Sequence, residues 1–293
     1  MASPKSRKST FAASAEADLA DGLGGSSLAT TLAKGLAVLE AFDPGATSLG
    51  NTELAARTGL TRPTVARLSH TLAELGYLRY DEPRAKYRLG ARCLRMAYPL
   101  LANLKFRQTA RPLMQELAES VRGNVSIGLL DGTEVVFVET ARFGDLGPTL
   151  PDIGVAVPLV RAAMGRALAS ILSLAESRAL RARIEAEMPD VWATYGENYL
   201  AGLDQCARQG FCVSKGDWRP TISAVAAPLF RARDTADCFA INCGIPAFRL
   251  QPRQLEAEIG PRLQALAASI RMMADEAEPT IEHASVPQKK DPK

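Results

Sequence analysis

Residues 54–78 read LAARTGLTRPTVARLSHTLAELGYL. Two apolar-periodic runs meet at Gly59, and the second opens on a proline flanked by Arg62 and Arg67. In the first turn of a helix a missing N–H costs no intrahelical bond and a fixed φ is an advantage, so Pro63 starts a helix rather than breaking one. Thr61 stands where an N-cap hydroxyl is wanted. At 100° per residue Val65, Leu68, Leu72 and Leu75 share one side of this helix, while Arg62, Pro63, Ala66, Arg67 and His70 cluster on the other. One side builds a core; the other is basic and thin.

Upstream, NTELAART forms a short helix with Asn51 or Thr52 as N-cap, Glu53 near its positive end and Gly59 just past its C-terminus. Before it, LATTLAKGLAVLEAF (28–42) places Leu28, Leu32, Leu36, Leu39 and Phe42 at three- or four-residue spacing, an amphipathic helix stopped by Asp43-Pro44-Gly45. Downstream, YLRYDEPRAKYRLG (77–90) holds two extended runs around the Glu82-Pro83-Arg84 turn. Three helices followed by a basic hairpin make a winged helix-turn-helix. The expected DNA-contact set is Thr61, Arg62, Pro63, Thr64, Ala66, Arg67 and His70 from the recognition helix, with Arg79, Arg84, Lys86 and Arg88 from the wing. Arg62 and Arg67 reach a guanine or a phosphate, the small Ala66 admits a base edge or thymine methyl, and the wing grips backbone or minor groove.

The charge distribution agrees. Residues 57–95 carry nine Arg/Lys against three acids, a local +6 on a chain whose formal charge is +3, so the remainder sums to −3. A concentrated basic segment on a slightly acidic protein is the footprint of a polyanion partner, the alternative being a merely solvated face. Residues 1–27 lack periodic apolar positions and read as a disordered tail; its Lys5, Arg7 and Lys8 could brush phosphates, and its GLGG lacks the flanking strand and helix of a phosphate loop. No apolar run approaches the roughly 20 residues that span a bilayer, and no signal peptide is recognisable, which points to the cytoplasm. The five cysteines form no CxxC pair, and His70 and His283 are the only histidines. A disulfide framework, a metal site, a resident cofactor and a Cys-His or Ser-His catalytic pair are all unexpected.

ARCLRMAYPLLANLKF (91–106) is helical in pattern and apolar over much of its surface, a linker that packs on a second copy. Beyond it the pattern changes. A helix over 110–120 leads into VSIGLL, an Asp131-Gly132 turn and TEVVFVET, a strong hairpin signal. GFCVS, ISAVAAPLF and CFAINCG read as three further strands, with helices over 164–174, 176–187 and 197–209 and a last one over 252–276. Strands and helices that do not alternate regularly indicate α+β with an antiparallel sheet. Chemistry is sparse in this half. Asp131, Glu134 and Glu139 flank a hairpin; Ser214, Asp217 and Arg219 surround Trp218 in a loop that lids a pocket or is simply surface; Cys238 and Cys243 point to opposite faces of one strand.

The segments LAKGLAVLEAFD, NTELAARTGLTRPTVARLSHTLAELGYL, YRLG, ARPLMQELAES, LLDGTEVVFVE, AMGRALA, GFCVS, ISAVAAP and CGIP together resemble IclR-type transcriptional regulators, over about 28–274. The resemblance implies a winged-helix domain (28–90), a linker and dimerisation helix (91–106) and a GAF-like effector-binding domain (107–276), with tails at 1–27 and 277–293. It implies that Ala163, Met164, Gly165, Ser214, Asp217, Ala224, Asn242 and Gly244 line the effector pocket. Arg161, among apolar residues beside that pocket, is a further candidate: its planar fork suits a carboxylate ligand, or else an intramolecular salt bridge. The reading is a homo-oligomeric, non-enzymatic regulator that binds a double-stranded, pseudo-palindromic DNA operator and a small effector, an organic acid or aromatic catabolite. Its rivals are a small-molecule enzyme with a fused DNA-binding domain and an unliganded architectural DNA binder.

Overall fold

The computed structural model describes residues 29–144, 152–232, 234–277 and 281–283, and the chain divides after Asn103 into two compact units. The tail expected over 1–27 lies outside the described residues.

In the first unit, helices α1 (Thr30–Glu40), α2 (Asn51–Thr58) and α3 (Arg62–Glu74) precede an antiparallel wing of β1 (Leu78–Asp81) and β2 (Lys86–Leu89). Gly59 closes α2 at φ +72, a left-handed conformation that a Cβ disfavours, and its N–H returns to the Ala55 carbonyl. Pro63 sits in the first turn of α3, as its position in the sequence requires. Both helix starts differ from expectation in detail. Gly50, not Asn51 or Thr52, precedes α2 and donates its N–H to Glu53 Oε2 at 2.7 Å. The Thr61 hydroxyl meets the Thr64 hydroxyl at 2.9 Å instead of capping a backbone N–H of α3.

Val38, Leu49, Leu54, Val65, Leu68, Leu78 and Tyr87 form the core of this unit, and reciprocal backbone bonds between Leu49 and Tyr87 tie the wing to the segment before α2. The inward side of α1 differs from the expected one. Gly35, Ala37 and Val38 are buried, whereas Leu32 is 64% exposed and Leu36 is exposed too. Small residues let α1 lie close against α3, which leaves the leucine stripe to the side. Leu75 is exposed because it caps α3 instead of belonging to its packed face. Helix α4 (Ala91–Asn103) buries none of its residues. It stops short of the expected residue 106, because Phe106 starts the next helix and packs edge-on against Phe230 and Phe239.

The second unit begins with α5 (Phe106–Val121) and contains strands β3 (Asn124–Asp131), β4 (Glu134–Arg142) and β5 (Ala156–Pro158). Helices α6 (Ala163–Ala169), α7 (Leu174–Glu187) and α8 (Pro189–Gln209) follow, then β6 (Cys212–Lys215), β7 (Ile222–Ala232), β8 (Cys238–Pro246), α9 (Gly260–Ala277) and β9 (Ile281–His283). The strands run β5-β4-β3-β8-β7-β6 with antiparallel neighbours, as the α+β reading requires, and β9 pairs with β7. That last pairing corrects the tail expected from residue 277: Ile281–His283 extends the ladder opposite Phe230–Ala232. Three helices also change length. Ser173 caps α7 by accepting the Glu176 N–H, which ends α6 early; Pro189 in the first turn lets α8 begin eight residues before 197; and the last helix is preceded by a π-helical turn, Leu255–Ile259.

Side-chain alternation gives the sheet two unlike faces. Val125, Ile127, Val225, Ile241 and Cys243 point toward α5 and α9. Cys212, Ala226 and Ala240 point the other way and join a core built with Met164, Ala167, Leu168 and Tyr199 of α6 and α8. Cys238 and Cys243, both buried, fall on opposite faces of β8, as their spacing demands.

Candidate functional sites

In the first unit, Arg62, Pro63, Arg67 and His70 are exposed on α3, with Thr64 and Ala66 half-exposed between them and Val65, Leu68 and Ser69 buried behind. On this face the Thr71 hydroxyl donates to the Arg67 carbonyl. Neither Arg62 nor Arg67 enters an ion pair among the described residues. The wing divides its four basic residues into two kinds. Arg84 pairs with Asp81 at 2.8 Å and Lys86 with Glu53 at 3.0 Å. The Arg84 bond holds the Asp81 carboxyl below its ordinary range, and the Gly50 N–H followed by Lys86 does so for Glu53. Arg79 and Arg88 instead stand directly opposite one another across the ladder, both exposed and neither in an ion pair among the described residues. Like charges in that position repel, and a phosphate relieves them. Arg57, counted in the basic segment, is structural: it donates to Asp43 Oδ2 and to the Ala41 carbonyl.

In the second unit, cross-strand register gathers several expected residues. Ser214, Ala224, Gly244 and Asn124 lie side by side in one row across β6, β7, β8 and β3; Cys212, Ala226, Asn242, Ser126 and Thr140 form the next. Both rows face α6, since the Cys212 thiol donates to the Ala163 carbonyl at 3.3 Å. The Asn124 amide and the Thr140 hydroxyl both donate to Ser126 Oγ, at 3.4 and 3.0 Å. Asn124 Oδ1 and Asn242 Oδ1 are buried without a partner.

Ala163, Met164 and Gly165, expected to line a ligand space, are committed to packing. Met164 is 0% exposed and fills the room above Gly128; a Cβ at Gly165 would strike the Leu159 backbone. Ser214 and Asp217 are engaged within the protein. Ser214 Oγ donates to Asp217 Oδ2 and Asn198 Nδ2 of α8 to Oδ1, both at 3.1 Å, while Arg166 donates to Oδ2 and to the Val213 carbonyl. Arg166 is 2% exposed, and its stem fits because residue 202 of α8 is glycine.

Arg161 enters no ion pair among the described residues. It donates through Nε to the Asp217 carbonyl at 3.1 Å and through a terminal nitrogen to the Trp218 carbonyl at 2.9 Å, with its guanidinium 5.1 Å from the Tyr195 ring centre. These bonds latch the turn before α6 to the loop after β6. The buried thiols of Cys206 and Cys212 are neighbours. That contact pulls the Cys206 pKa down and, together with burial, pushes Cys212 up.

Sequence reasoning missed Arg166, Asn124, Ser126 and Thr140. Asn124 and Ser126 left a trace: in NVSIGLL polar or small residues alternate with Val125, Ile127 and Leu129, the period of a strand with one non-apolar face. Among the described residues no cluster of three His, Cys, Asp or Glu side chains is placed to hold a metal, and no helix is long and apolar enough to cross a membrane.

Comparison with known proteins bears on both units. Residues 31–82 match the IclR helix-turn-helix domain, and residues 99–272 match the bacterial transcriptional regulator IclR C-terminal domain. The HTH-type transcriptional regulator TsaQ1/TsaQ2 of Comamonas testosteroni is 28% identical over 259 residues, spanning 87% of this chain and 92% of that protein. The p-hydroxybenzoate hydroxylase transcriptional activator of Acinetobacter baylyi is 28% identical over 251 residues, 82% of this chain and 90% of its own. A crystal structure of an IclR family transcriptional regulator from Brucella abortus has a TM-score of 0.75 at 34% identity, covering 86% of this chain and 95% of that one.

Proposed function

The chain belongs to the IclR family of transcriptional regulators, and from that premise we propose that it reads a pseudo-palindromic operator as a homo-oligomer under the control of a small organic effector. The observation that carries the DNA reading is the face of α3, where Arg62, Arg67 and His70 stand exposed around the small Ala66. Arginine forks that enter no ion pair among the described residues suit guanine edges and phosphates, and Ala66 lets the helix seat deeply in a major groove. Self-association is supported by apolar side chains left outside: Leu94, Met96, Tyr98 and Leu100 on α4, with Leu32 and Leu36 on α1. A two-fold dimer would map its symmetry onto the operator, with half-sites about one helical turn, or a multiple, apart.

The effector acts through the second unit, and α4 serves as the linker and dimerisation helix that couples it to the DNA-binding unit. Its ligand changes operator affinity to the extent that it binds the two arrangements of the dimer unequally. A relative named for p-hydroxybenzoate hydroxylase favours an aromatic catabolite as the effector class. The site of action is the cytoplasm.

Binding of the purified chain to its own upstream intergenic DNA, against scrambled competitor at near-physiological salt, tests the reading. Wild type is expected to select the upstream DNA and Arg67→Ala to lose that selection. Equal, purely salt-driven binding to both DNAs would instead make the basic face architectural.

A further inference from the structure

Asn124 is 1% exposed, and neither its Oδ1 nor that of Asn242 receives a hydrogen bond. Buried polar atoms are paired in the great majority of cases, so two orphaned acceptors on one patch of sheet mark a place prepared for donors from outside. The patch is compact: Asn124 opposes Gly244 and Ser126 opposes Asn242 across β3 and β8. A Cβ at residue 244 would sit 2.6 Å from Asn124 Oδ1, so only glycine leaves that oxygen its place. Next to them on β7 stand Ala224 and Ala226, and the floor opens at Ala224 and Asn242, which are only half-buried.

The hydrogen-bond inventory of this floor defines what it takes. Ser126 Oγ already accepts from Asn124 and Thr140, which leaves its own proton to give. Two acceptors and one donor therefore lie together on this face of the sheet, and all three are uncharged. Nearby cations are engaged: Arg142 pairs with Asp152, Arg166 with Asp217, and Arg161 holds two main-chain carbonyls.

We propose that this floor recognises an uncharged hydroxyl group, a phenol or alcohol, whose O–H donates to Asn124 Oδ1 or Asn242 Oδ1 while its oxygen accepts from Ser126. The inference rests on the effector reading above and deepens it by naming the polar group that is read. A carboxylate fits poorly, since it brings only acceptors to two acceptors.

Calorimetric titration of the full chain with resorcinol, 1,3-dimethoxybenzene and benzoate tests the assignment. Resorcinol is expected to bind about tenfold to a hundredfold more tightly than its dimethyl ether, which has the same ring but no donor, and benzoate is expected not to compete. At least one of Asn242→Leu and Asn124→Ala should reduce resorcinol to the affinity of the ether. Asn242→Leu should also leave the ligand-free melting temperature unchanged or raised, since an orphaned oxygen is gone; a merely structural asparagine would lower it. If the ether or benzoate binds as well as resorcinol, or the preference survives in both variants, the hydroxyl assignment falls while an effector site stands. If no compound of any class binds, the effector reading falls with it.

Discussion

Arginine does opposite work in the two units. On α3 and the wing, Arg62, Arg67, Arg79 and Arg88 are exposed and enter no ion pair among the described residues. In the second unit several arginines are instead held by the protein itself: Arg166 by Asp217, Arg107 and Arg111 by the buried Glu139, Arg231 by Glu176, and Arg161 by main-chain carbonyls. A guanidinium has five donors, and what accepts them separates a recognition residue from a structural one. Local charge alone does not, for Arg57 lies in the same basic segment yet is held by Asp43 and Ala41.

The contrast breaks most visibly at Arg166. Arg166→Met strands Asp217 without its cation and is expected to lower unfolding stability by about 3 kcal/mol or more. Urea denaturation reads this, and the exposed Arg183–Glu187 pair supplies the control, at under about 1 kcal/mol for Arg183→Met. Arg67→Ala should do the reverse: operator affinity falls by about 1–3 kcal/mol with no shift of the melting temperature, measurable by fluorescence anisotropy beside a thermal scan. Within the wing, Arg79→Ala or Arg88→Ala should each lower the slope of log affinity against log salt by about 0.9, and Arg84→Ala by less, because Asp81 already offsets its charge. Equal slopes for all three would erase the division of the wing into free and paired residues.

The smallest effect concerns pH. Arg231, followed by Ser173, holds the Glu176 carboxyl at about 2, down from 4.5. A depressed carboxyl contributes stability that is complete above pH 4.5 and is lost as pH falls toward about 2. Glu176→Gln should therefore lower the denaturation midpoint slightly near neutrality and flatten its fall between pH 4.5 and about 2, where variant and wild type converge.

What could be read in advance follows the range of the interaction. Gly59 and Pro63 act on their own turns, so the helix-turn-helix is legible from one short stretch. The hairpin of β3 and β4 is announced by its Asp-Gly turn. The inward side of α1 is not legible, since its leucine stripe is apolar without being core. Strands β5 and β9, at three residues each, are too short to show a period. Arg166 inside AMGRALA looks like a surface charge until Asp217, 51 residues later, arrives beside it. The row Ser214, Ala224, Gly244 and Asn124 exists only once four strands are in register.

The latch at Arg161 has an evolutionary corollary. It grips the loop after β6 through carbonyl oxygens, which every amino acid supplies, so its hold is blind to the side chains at 217 and 218. Descendants of this chain can exchange Trp218 for another residue while the loop keeps its anchorage. The side chain at that position can thus drift without the fold having to be reinvented.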